Sequence, residues 1–464
     1  MAGKQILLNA FNMNCVGHIN HGLWTHPRDC STKYNTLEYW VNQAHILERG
    51  LFDGLFIADI VGVYDIYGGN VDVTLRESIQ LPVNDPLLLV PAMAAATKHL
   101  GFGVTVNLTY DAPYLLARRF STLDHLTRGR VGWNIVTGYL DSAARNLGLA
   151  RQLGHDQRYD LAEEYLQVLY KLWEKSWEED AVLLERDSGR YIEPARVHPI
   201  NHVGEHFQVP GMHLCQPSPQ RTPVLFQAGA SARGQQFAAR HAECVFISGP
   251  TPTVLRRYAD GIRQASEVAG RGRDEVLIYA QALLIVAPTR EEAEARFAEY
   301  RSHVDLDAAL ALLSGWTGID FAGLDPDAPI EYVENDAGRA ALAAFTAADP
   351  NRRWTVREAA EFIGLGGRGP VLVGAASEVA DQLESWLDQT GIDGFNLTYA
   401  VQPDDLAHVV ELLVPELQRR GRYPLSYAEG TLRHKLFGQG DRLPEEHAGR
   451  QVRIQPANTG YSNI

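Results

Sequence analysis

Short apolar runs and longer amphipathic segments alternate along most of the chain. The apolar runs predict eight strands, at residues 6–10, 54–58, 102–108, 131–136, 223–227, 244–247, 276–286 and 394–399. Segments with helical spacing separate them, such as 113–129, which begins at a proline and closes at a glycine. This alternation predicts a parallel sheet, and eight units predict an α/β fold of the TIM (β/α)8 barrel class. A doubly wound open sheet is the alternative.

Three stretches interrupt the alternation, at residues 178–222, 305–370 and 422–464. Within a barrel, insertions after strands lie at or over the catalytic face. We therefore expect one barrel over residues 1–421, with insertions at about 178–222 and 305–370. A C-terminal extension over 422–464 is expected to pack on the barrel or on a neighbouring subunit. The run 371–373 is left out as a ninth strand, because three residues are few for a barrel strand.

Charge and cysteine usage narrow the class of protein. The 57 acidic residues outnumber the 42 basic ones, which gives a net charge of −15 and argues against nucleic-acid or anionic-membrane binding. The four cysteines form no CxxC pair, which favours reduced thiols. The first residues lack the features of a signal peptide, and no apolar stretch reaches membrane-spanning length. These features predict a cytoplasmic protein with no nucleic-acid or membrane partner.

A glycine-rich stretch at residues 229–234 (GASARG) follows a predicted strand and opens a helix. Backbone N–H groups at a helix start, together with the Ser231 hydroxyl, would suit a phosphate group. A plain turn with Ser231 as the helix cap is the alternative. The stretch is not a P-loop, because Gln235 stands where that motif needs lysine. A second stretch, GLGGRG at 364–369, fits GxGxxG formally, but no strand precedes it and no helix follows, so we reject a dinucleotide fingerprint.

Polar residues at the carboxyl ends of the predicted strands are candidates for a site, because barrel active sites lie there. They are Asn14, Cys15, Asp59, Tyr64, Thr105, Asn107, Asn134 and Thr137, and each could equally be a satisfied buried group or a turn residue. His155 and Tyr159 share one side of a helix start, which suits an anion. His18, His21 and His26 lack the carboxylate or HExxH partners of a metal site, so we expect no metal.

Long stretches of the sequence resemble the bacterial luciferase-like flavin monooxygenases. They include NAFNMNCVGHINHGLWTHP, LERGLFDGLFIADIVGVYDIY, STLDHLTRGRVGWNIVT, HDQRYDLAEEYL, SPQRTPVLFQAGASARG and GIDGFNL. The resemblance is to the branch that holds the nitrilotriacetate, dibenzothiophene-sulfone and dimethyl-sulfide monooxygenases. The tail YAEGTLRHKLFGQGDRLPEEH looks most like that of the long-chain alkane monooxygenases.

The resemblance implies a homodimeric or homotetrameric enzyme that receives reduced FMN from a separate NAD(P)H:flavin reductase. With O2 as co-substrate, a C4a-(hydro)peroxyflavin would oxygenate an organic substrate. The cofactor-binding positions it implies are Asp59, Thr105, Asn134, Thr137, Gly138, His155, Tyr159, Ala228, Gly229 and Ser231. Gly138 stands where the family carries a serine, so one hydroxyl for the phosphate is missing.

The resemblance also implies a reaction pocket. Its catalytic positions would be Cys15, His18, Tyr64 and Gln80, with Asn14, Tyr139 and Leu312 lining the substrate side. Tyr139 and Leu312 replace two histidines of the alkane enzymes, which makes the pocket more apolar. We therefore expect a small or chain-like apolar substrate: a sulfide, an alkane or a haloaromatic compound. A non-catalytic flavin-binding protein, a deazaflavin-dependent hydride-transfer enzyme and a metal-dependent hydrolase are the alternatives.

Overall fold

Eight parallel strands close into a barrel at the centre of the molecule. The structure is a computed structural model that describes residues 4–229, 231–331, 339–346, 348–349 and 351–454. In chain order the barrel strands are β1 Leu7–Met13, β2 Gly54–Ala58, β3 Gly101–Asn107, β4 Val131–Val136, β5 Val224–Ala228, β6 Cys244–Ile247, β7 Leu277–Ala287 and β8 Gly394–Thr398.

Each barrel strand pairs with its neighbours in chain order, and β8 pairs with β1 to close the circle. The predicted TIM-barrel class is therefore confirmed, and the open sheet is excluded. The strands are almost fully buried, because helices cover their outer faces and side chains fill the interior.

Helices connect the strands and cover the barrel. The helices outside the insertions and the tail are Leu37–Arg49, Asp72–Arg76, Val90–Ala96, Pro113–Thr127, Asp141–Asn146, His155–Tyr170, Ala232–His241, Pro252–Val268, Arg290–His303, Ala376–Thr390, Asp404–His408 and Val414–Arg419. Several begin at a side-chain cap, as at Ser231, Thr251 and Thr289, whose hydroxyls accept from a backbone N–H of the first turn. These caps fix where each helix begins relative to the preceding strand.

A ninth strand, Val371–Ala375, extends the sheet beyond the barrel. It pairs in parallel with the second half of β7, from Leu283 to Ala287. The expectation that left this run out is wrong. The reason lies in β7, which at 11 residues is longer than its four-residue neighbour β6 and leaves an unpaired edge past the end of β6.

The two predicted insertions differ in secondary structure. The first holds two short antiparallel pairs, Val182–Glu185 with Arg190–Ile192, and His202–Val203 with Gln208–Val209. The second contains the helices Leu306–Thr317, Arg339–Ala344 and Val356–Ile363. Its apolar side chains form a hydrophobic cluster with residues that follow β1, β2 and β4. Because those residues follow strand ends, the second insertion covers the carboxyl-terminal face of the barrel.

The C-terminal extension lies at the opposite, amino-terminal end of the barrel. Its helix Leu432–Phe437 places Arg433 in the core, where the guanidinium donates to both oxygens of Glu243 at 2.6 and 2.8 Å. Arg433 also donates to the carbonyls of Thr222 and Pro223, just before β5. The last helix is Ala448–Gln451, and residues 455–464 lie outside the described part of the chain. Up to residue 454, the extension therefore packs on this chain's own barrel.

None of the helices in the described ranges is long and apolar enough to cross a membrane. Within the same ranges, no group of three or more His, Cys, Asp or Glu side chains is arranged to hold a metal ion.

Candidate active site

A cavity of about 370 Å³ opens at the carboxyl-terminal ends of the barrel strands. This volume lies within the range of about 300–1,000 Å³ that is typical of small-molecule sites. Most of the residues singled out from the sequence line this cavity. They are His18, Asp59, Tyr64, Gln80, Thr105, Asn107, Asn134, Thr137, Gly138, Tyr139, His155, Tyr159, Ala228, Gly229 and Ser231. The barrel thus brings together side chains that are more than 200 positions apart in the chain.

Three of the expected site residues lie off the cavity wall. Cys15 is buried, and its thiol lies 3.5 Å from the Gly17 carbonyl. Burial raises the pKa of this thiol far above its ordinary value, so it stays protonated. The Asn14 amide donates to the Asp85 carbonyl at 3.3 Å. Leu312 is fully buried in the hydrophobic cluster of the second insertion, which also contains Tyr64.

One corner of the cavity gathers hydroxyl and imidazole groups around the start of the helix Ala232–His241. Ser231 caps this helix by accepting from the Gly234 N–H at 3.1 Å, and its hydroxyl lies 3.4 Å from His155 Nε2. The other ring nitrogen of His155 lies 2.7 Å from the Asp156 carboxylate. Burial raises the pKa of the Tyr159 hydroxyl, and a hydrogen bond with Ser231 opposes that rise. We call Ser231, His155 and Tyr159 the helix-start corner; Ala230 beside it lies outside the described residues.

The wall formed by β2, β3 and β4 carries polar groups at the strand ends. The Asn134 amide donates to the Thr105 hydroxyl at 2.9 Å across adjacent strands, which leaves Asn134 Oδ1 buried without a partner among the described residues. Burial, and to a lesser degree the charge of Asp85, raises the pKa of Asp59 to about 8. Asp59 is therefore mainly neutral at pH 7, where its carboxyl group can donate as well as accept a hydrogen bond.

A hydrogen-bond chain joins several residues that line the cavity. The Tyr64 hydroxyl donates to Gln80 Oε1 at 2.8 Å, and Gln80 Nε2 donates to the His18 carbonyl at 2.7 Å. Tyr139 continues the chain, with its hydroxyl 3.2 Å from that of Tyr64. Gln80 holds a left-handed backbone conformation at φ +49°, a strain that often marks functional positions. We call Tyr139, Tyr64 and Gln80 the tyrosine–glutamine chain.

His18 lies beside this chain and packs edge-on against Phe11, with the ring centroids 4.5 Å apart. Burial, followed by the neighbouring His21, lowers the pKa of His18 to about 3. Its ring is therefore neutral across the physiological range and can donate or accept a hydrogen bond without carrying charge. The interior below is aromatic: the Phe56 and Phe246 rings lie 4.1 Å apart, and both rings line the cavity.

Several lining residues were missed in the sequence. They are Gln227, Gln281, Asn396, Arg158, Trp316 and Arg368. For the first three, the available signal was a polar side chain inside a strongly apolar run, since Gln227, Gln281 and Asn396 lie on β5, β7 and β8. Trp316 and Arg368 come from the second insertion, and no periodicity within that insertion indicated which of its residues reach the cavity.

The residues that line the cavity fit a flavin mononucleotide. Buried amide oxygens of Asn134, Gln227 and Asn396 lack partners among the described residues, as expected where a ligand supplies N–H and O–H groups. The helix-start corner offers hydroxyl donors and a helix N-terminus to a phosphate. The aromatic interior offers apolar contact to a ring system. An amphipathic ligand with a phosphate at one end matches this distribution.

Comparison with known proteins agrees with the geometry. The dimethyl-sulfide monooxygenase of Hyphomicrobium sulfonivorans is 52% identical, and the alignment covers 97% of this chain and 94% of that protein. The long-chain alkane monooxygenase of Geobacillus thermodenitrificans is 46% identical over 98% and 99% of the two chains. A riboflavin lyase solved with a modified FMN and riboflavin superposes with a TM-score of 0.91 at 35% identity, covering 97% and 100%. The luciferase-like monooxygenase family matches residues 19–394, and this chain belongs to that family of enzymes.

Proposed function

We propose that this chain is the oxygenating component of a two-component monooxygenase. It receives reduced FMN from a separate NAD(P)H:flavin reductase and, by way of a C4a-(hydro)peroxyflavin, oxygenates a small or chain-like apolar compound. The observation that carries the proposal is the cavity itself. It joins a phosphate-compatible helix-start corner to an aromatic interior and lies beneath a covering insertion.

The helix-start corner would hold the phosphate end of FMN, with Ser231, His155 and Tyr159 as the contacting side chains. Asn134 and Thr105 would face the polar atoms of the flavin, and the neutral Asp59 carboxyl would complete that wall. Gly138 contributes no hydroxyl. It holds φ +67°, and an added side chain there would collide with the Asn107 amide.

Reduced FMN supplies the electrons that activate O2, and the protein supplies position and exclusion of water. The second insertion packs over the strand ends, so its buried apolar side chains keep solvent from the cavity. Within the tyrosine–glutamine chain, the Tyr64 hydroxyl is oriented by donating to Gln80 Oε1. The Gln80 amide is in turn held by its hydrogen bond to the His18 carbonyl. The neutral His18 ring can hydrogen-bond a reacting oxygen without adding charge.

The walls favour an apolar reacting group. Phe11, Phe56 and Phe246 line the interior. The Tyr139 hydroxyl is hydrogen-bonded to the Tyr64 hydroxyl. Among sulfides, alkanes and haloaromatics, we favour a sulfide because the 52% identical relative is a dimethyl-sulfide monooxygenase.

We also propose that the enzyme is cytoplasmic and forms a homodimer or a homotetramer. The four cysteines are free in the structure, which is compatible with a reducing compartment.

The test is substrate-dependent turnover with a flavin reductase, NADH and FMN in air. Dimethyl sulfide, hexadecane, a chlorophenol and nitrilotriacetate would each be followed by chromatographic loss of the compound. The proposal expects loss of an apolar compound that requires this protein as well as the reductase. Equal loss of nitrilotriacetate would contradict the apolar preference. A protein that adds no substrate loss to the reductase alone, with the consumed O2 recovered as H2O2, would instead be a flavin carrier or a deazaflavin enzyme.

A further inference from the structure

Among the side chains that the structure describes, one arginine of the second insertion faces the cavity without a counter-ion. Arg368 lines the cavity, and its Nε is buried with no hydrogen-bond partner in the described part of the chain. No hydrogen bond or ion pair joins its guanidinium to any residue that the structure describes. Burial lowers the pKa of this guanidinium from its ordinary value, but arginine remains protonated at neutral pH. Arg368 is half-buried, and a cation partly withdrawn from water without a counter-ion carries a desolvation cost.

The guanidinium lies over an aromatic ring. Its central carbon lies 4.8 Å from the centre of the Trp316 ring. The contact is of the cation–π type, and the guanidinium N–H groups form no hydrogen bond with a described residue. Gly315, which precedes Trp316, lies directly against the Tyr64 ring. Arg368 therefore belongs to the Tyr64 side of the cavity.

The glycine-rich stretch at 364–369 presents this arginine. Gly367 adopts φ +69°, and an added Cβ would lie 2.7 Å from Gln281 Nε2 and 3.0 Å from the Ile19 side chain. The Gly366 carbonyl accepts from Gln281 Nε2 at 2.5 Å, while the Gly366 N–H donates to the Ile19 carbonyl at 3.1 Å. The stretch is thus bonded to both β7 and the segment after β1. The glycines that do not make a dinucleotide fingerprint instead let the backbone approach the barrel closely enough to aim Arg368 inward.

Nothing in the described wall neutralises this charge. Asp59 is the one acidic residue among the described lining residues. Its carboxyl group is mainly neutral at pH 7 and forms no ion pair with Arg368. The other lining arginine, Arg158, lies on the helix that begins at His155 and donates to the Leu153 carbonyl at 2.7 Å. The described lining residues therefore include two cations, one beside the helix-start corner and one on the Tyr64 side.

We propose that Arg368 binds a carboxylate carried by the substrate. The inference rests on the proposed function and changes its substrate class from a wholly apolar compound to one whose reacting end alone is apolar. The substrate has an apolar body, such as a thioether, that enters the aromatic interior, and one carboxylate that ends at the Arg368 edge. A carboxylate matches the two parallel N–H groups of a guanidinium, and such charge-assisted pairs are stronger than neutral hydrogen bonds. Arg368 is thereby a specificity-determining residue.

The FMN phosphate is the other source of anionic oxygens, and the geometry favours the substrate. Ser231, His155 and Tyr159 already gather at the helix-start corner, whereas Arg368 lies over the Trp316 ring on the Tyr64 side. The two sources predict different behaviour. A phosphate contact would make Arg368 distinguish FMN from riboflavin, and a substrate contact would make it distinguish an acid from its amide.

The test is calorimetric binding of 3-(methylthio)propanoate and of its neutral match, 3-(methylthio)propanamide. Both would be titrated into the unsubstituted protein, Arg368→Met and Arg368→Lys, with and without saturating FMN. Arg368→Met keeps the length of the side chain and removes its charge, and Arg368→Lys keeps the charge and removes the fork. FMN and riboflavin affinities of all three proteins would be measured in parallel by flavin fluorescence.

We expect the acid to bind the unsubstituted protein at least about 10-fold more tightly than the amide. Arg368→Met should weaken binding of the acid by about 10- to 100-fold and leave binding of the amide within about twofold. Arg368→Lys should recover part of the lost affinity for the acid. Acid and amide binding equally well, or weakening equally in Arg368→Met, would overturn the proposal. So would a loss of FMN affinity that spares riboflavin, since that outcome assigns Arg368 to the phosphate. Failure of the monooxygenase function would appear separately, as absent turnover with the acid–amide difference intact.

Discussion

The helix-start corner gives the most quantitative prediction, for Ser231→Ala. In the structure the Ser231 hydroxyl accepts from the Gly234 N–H at 3.1 Å and faces the cavity. Removing it costs the cap, about 1 kcal/mol of stability. If the Ser231 hydroxyl also donates a hydrogen bond to the FMN phosphate, the variant lacks that bond in the complex. A hydrogen bond to a charged group is worth about 1.5–3 kcal/mol. At about 1.4 kcal/mol for each factor of ten, FMN should bind roughly 10- to 150-fold more weakly.

The assay is flavin fluorescence titration with FMN and with riboflavin, which lacks the phosphate. We expect Ser231→Ala to weaken FMN by that factor and to leave riboflavin within about twofold, so that the ratio of the two dissociation constants changes. Thr289→Ala is the matched control, because Thr289 caps the helix Arg290–His303 by accepting from the Glu292 N–H at 3.2 Å. It should lose similar thermal stability without changing the ratio. An unchanged ratio in Ser231→Ala would refute the placement of the phosphate.

Three further predictions concern charge and packing. FMN affinity should fall as pH rises through about 8, because burial raises the pKa of Asp59 to that value and bound flavin must then cover an ionised carboxylate. In Asp59→Asn, the FMN dissociation constant measured by fluorescence should stay nearly constant between pH 6 and 9.5. Arg433→Met should lower the free energy of unfolding in urea by about 3–5 kcal/mol, because it leaves Glu243 buried and unpaired; a loss below about 1 kcal/mol would show that the pair is dispensable. Gly138→Ala should reduce thermal stability through about 1–2 kcal/mol of left-handed strain in addition to its collision with Asn107, and an unchanged melting temperature would contradict that geometry.

The barrel was predictable because its pattern is local. Each strand is an apolar run bounded by turn residues, and eight such runs separated by helices have few ways to pack. The strand Val371–Ala375 was not predictable, because its pairing depends on how far β7 extends beyond β6. That excess is set by the closure of the sheet; the apolar run 371–373 was visible in the sequence, but its length gave no indication that it would find a partner.

The same distinction applies to the cavity. Asp59 and Ser231 follow strand ends, and Asn134 lies in the second half of β4; parallel strands in a barrel bring their carboxyl ends to one face, so the meeting of these residues could be expected. Gln281 lies in the middle of β7, and only the register of the sheet decides whether it faces inward. Arg368 depends on the path of a long insertion, which tertiary contacts determine. Sequence reasoning therefore found the strand ends and missed what the insertion adds.

Stopped-flow absorbance tests most directly whether this chain activates O2 on reduced FMN. The purified protein would be mixed with reduced FMN without oxygen and then with an oxygenated buffer. We expect a transient flavin–oxygen adduct that outlives free reduced flavin and disappears faster when a sulfide is present. Oxidation at the rate of free reduced flavin, with no transient and no effect of sulfide, would contradict it.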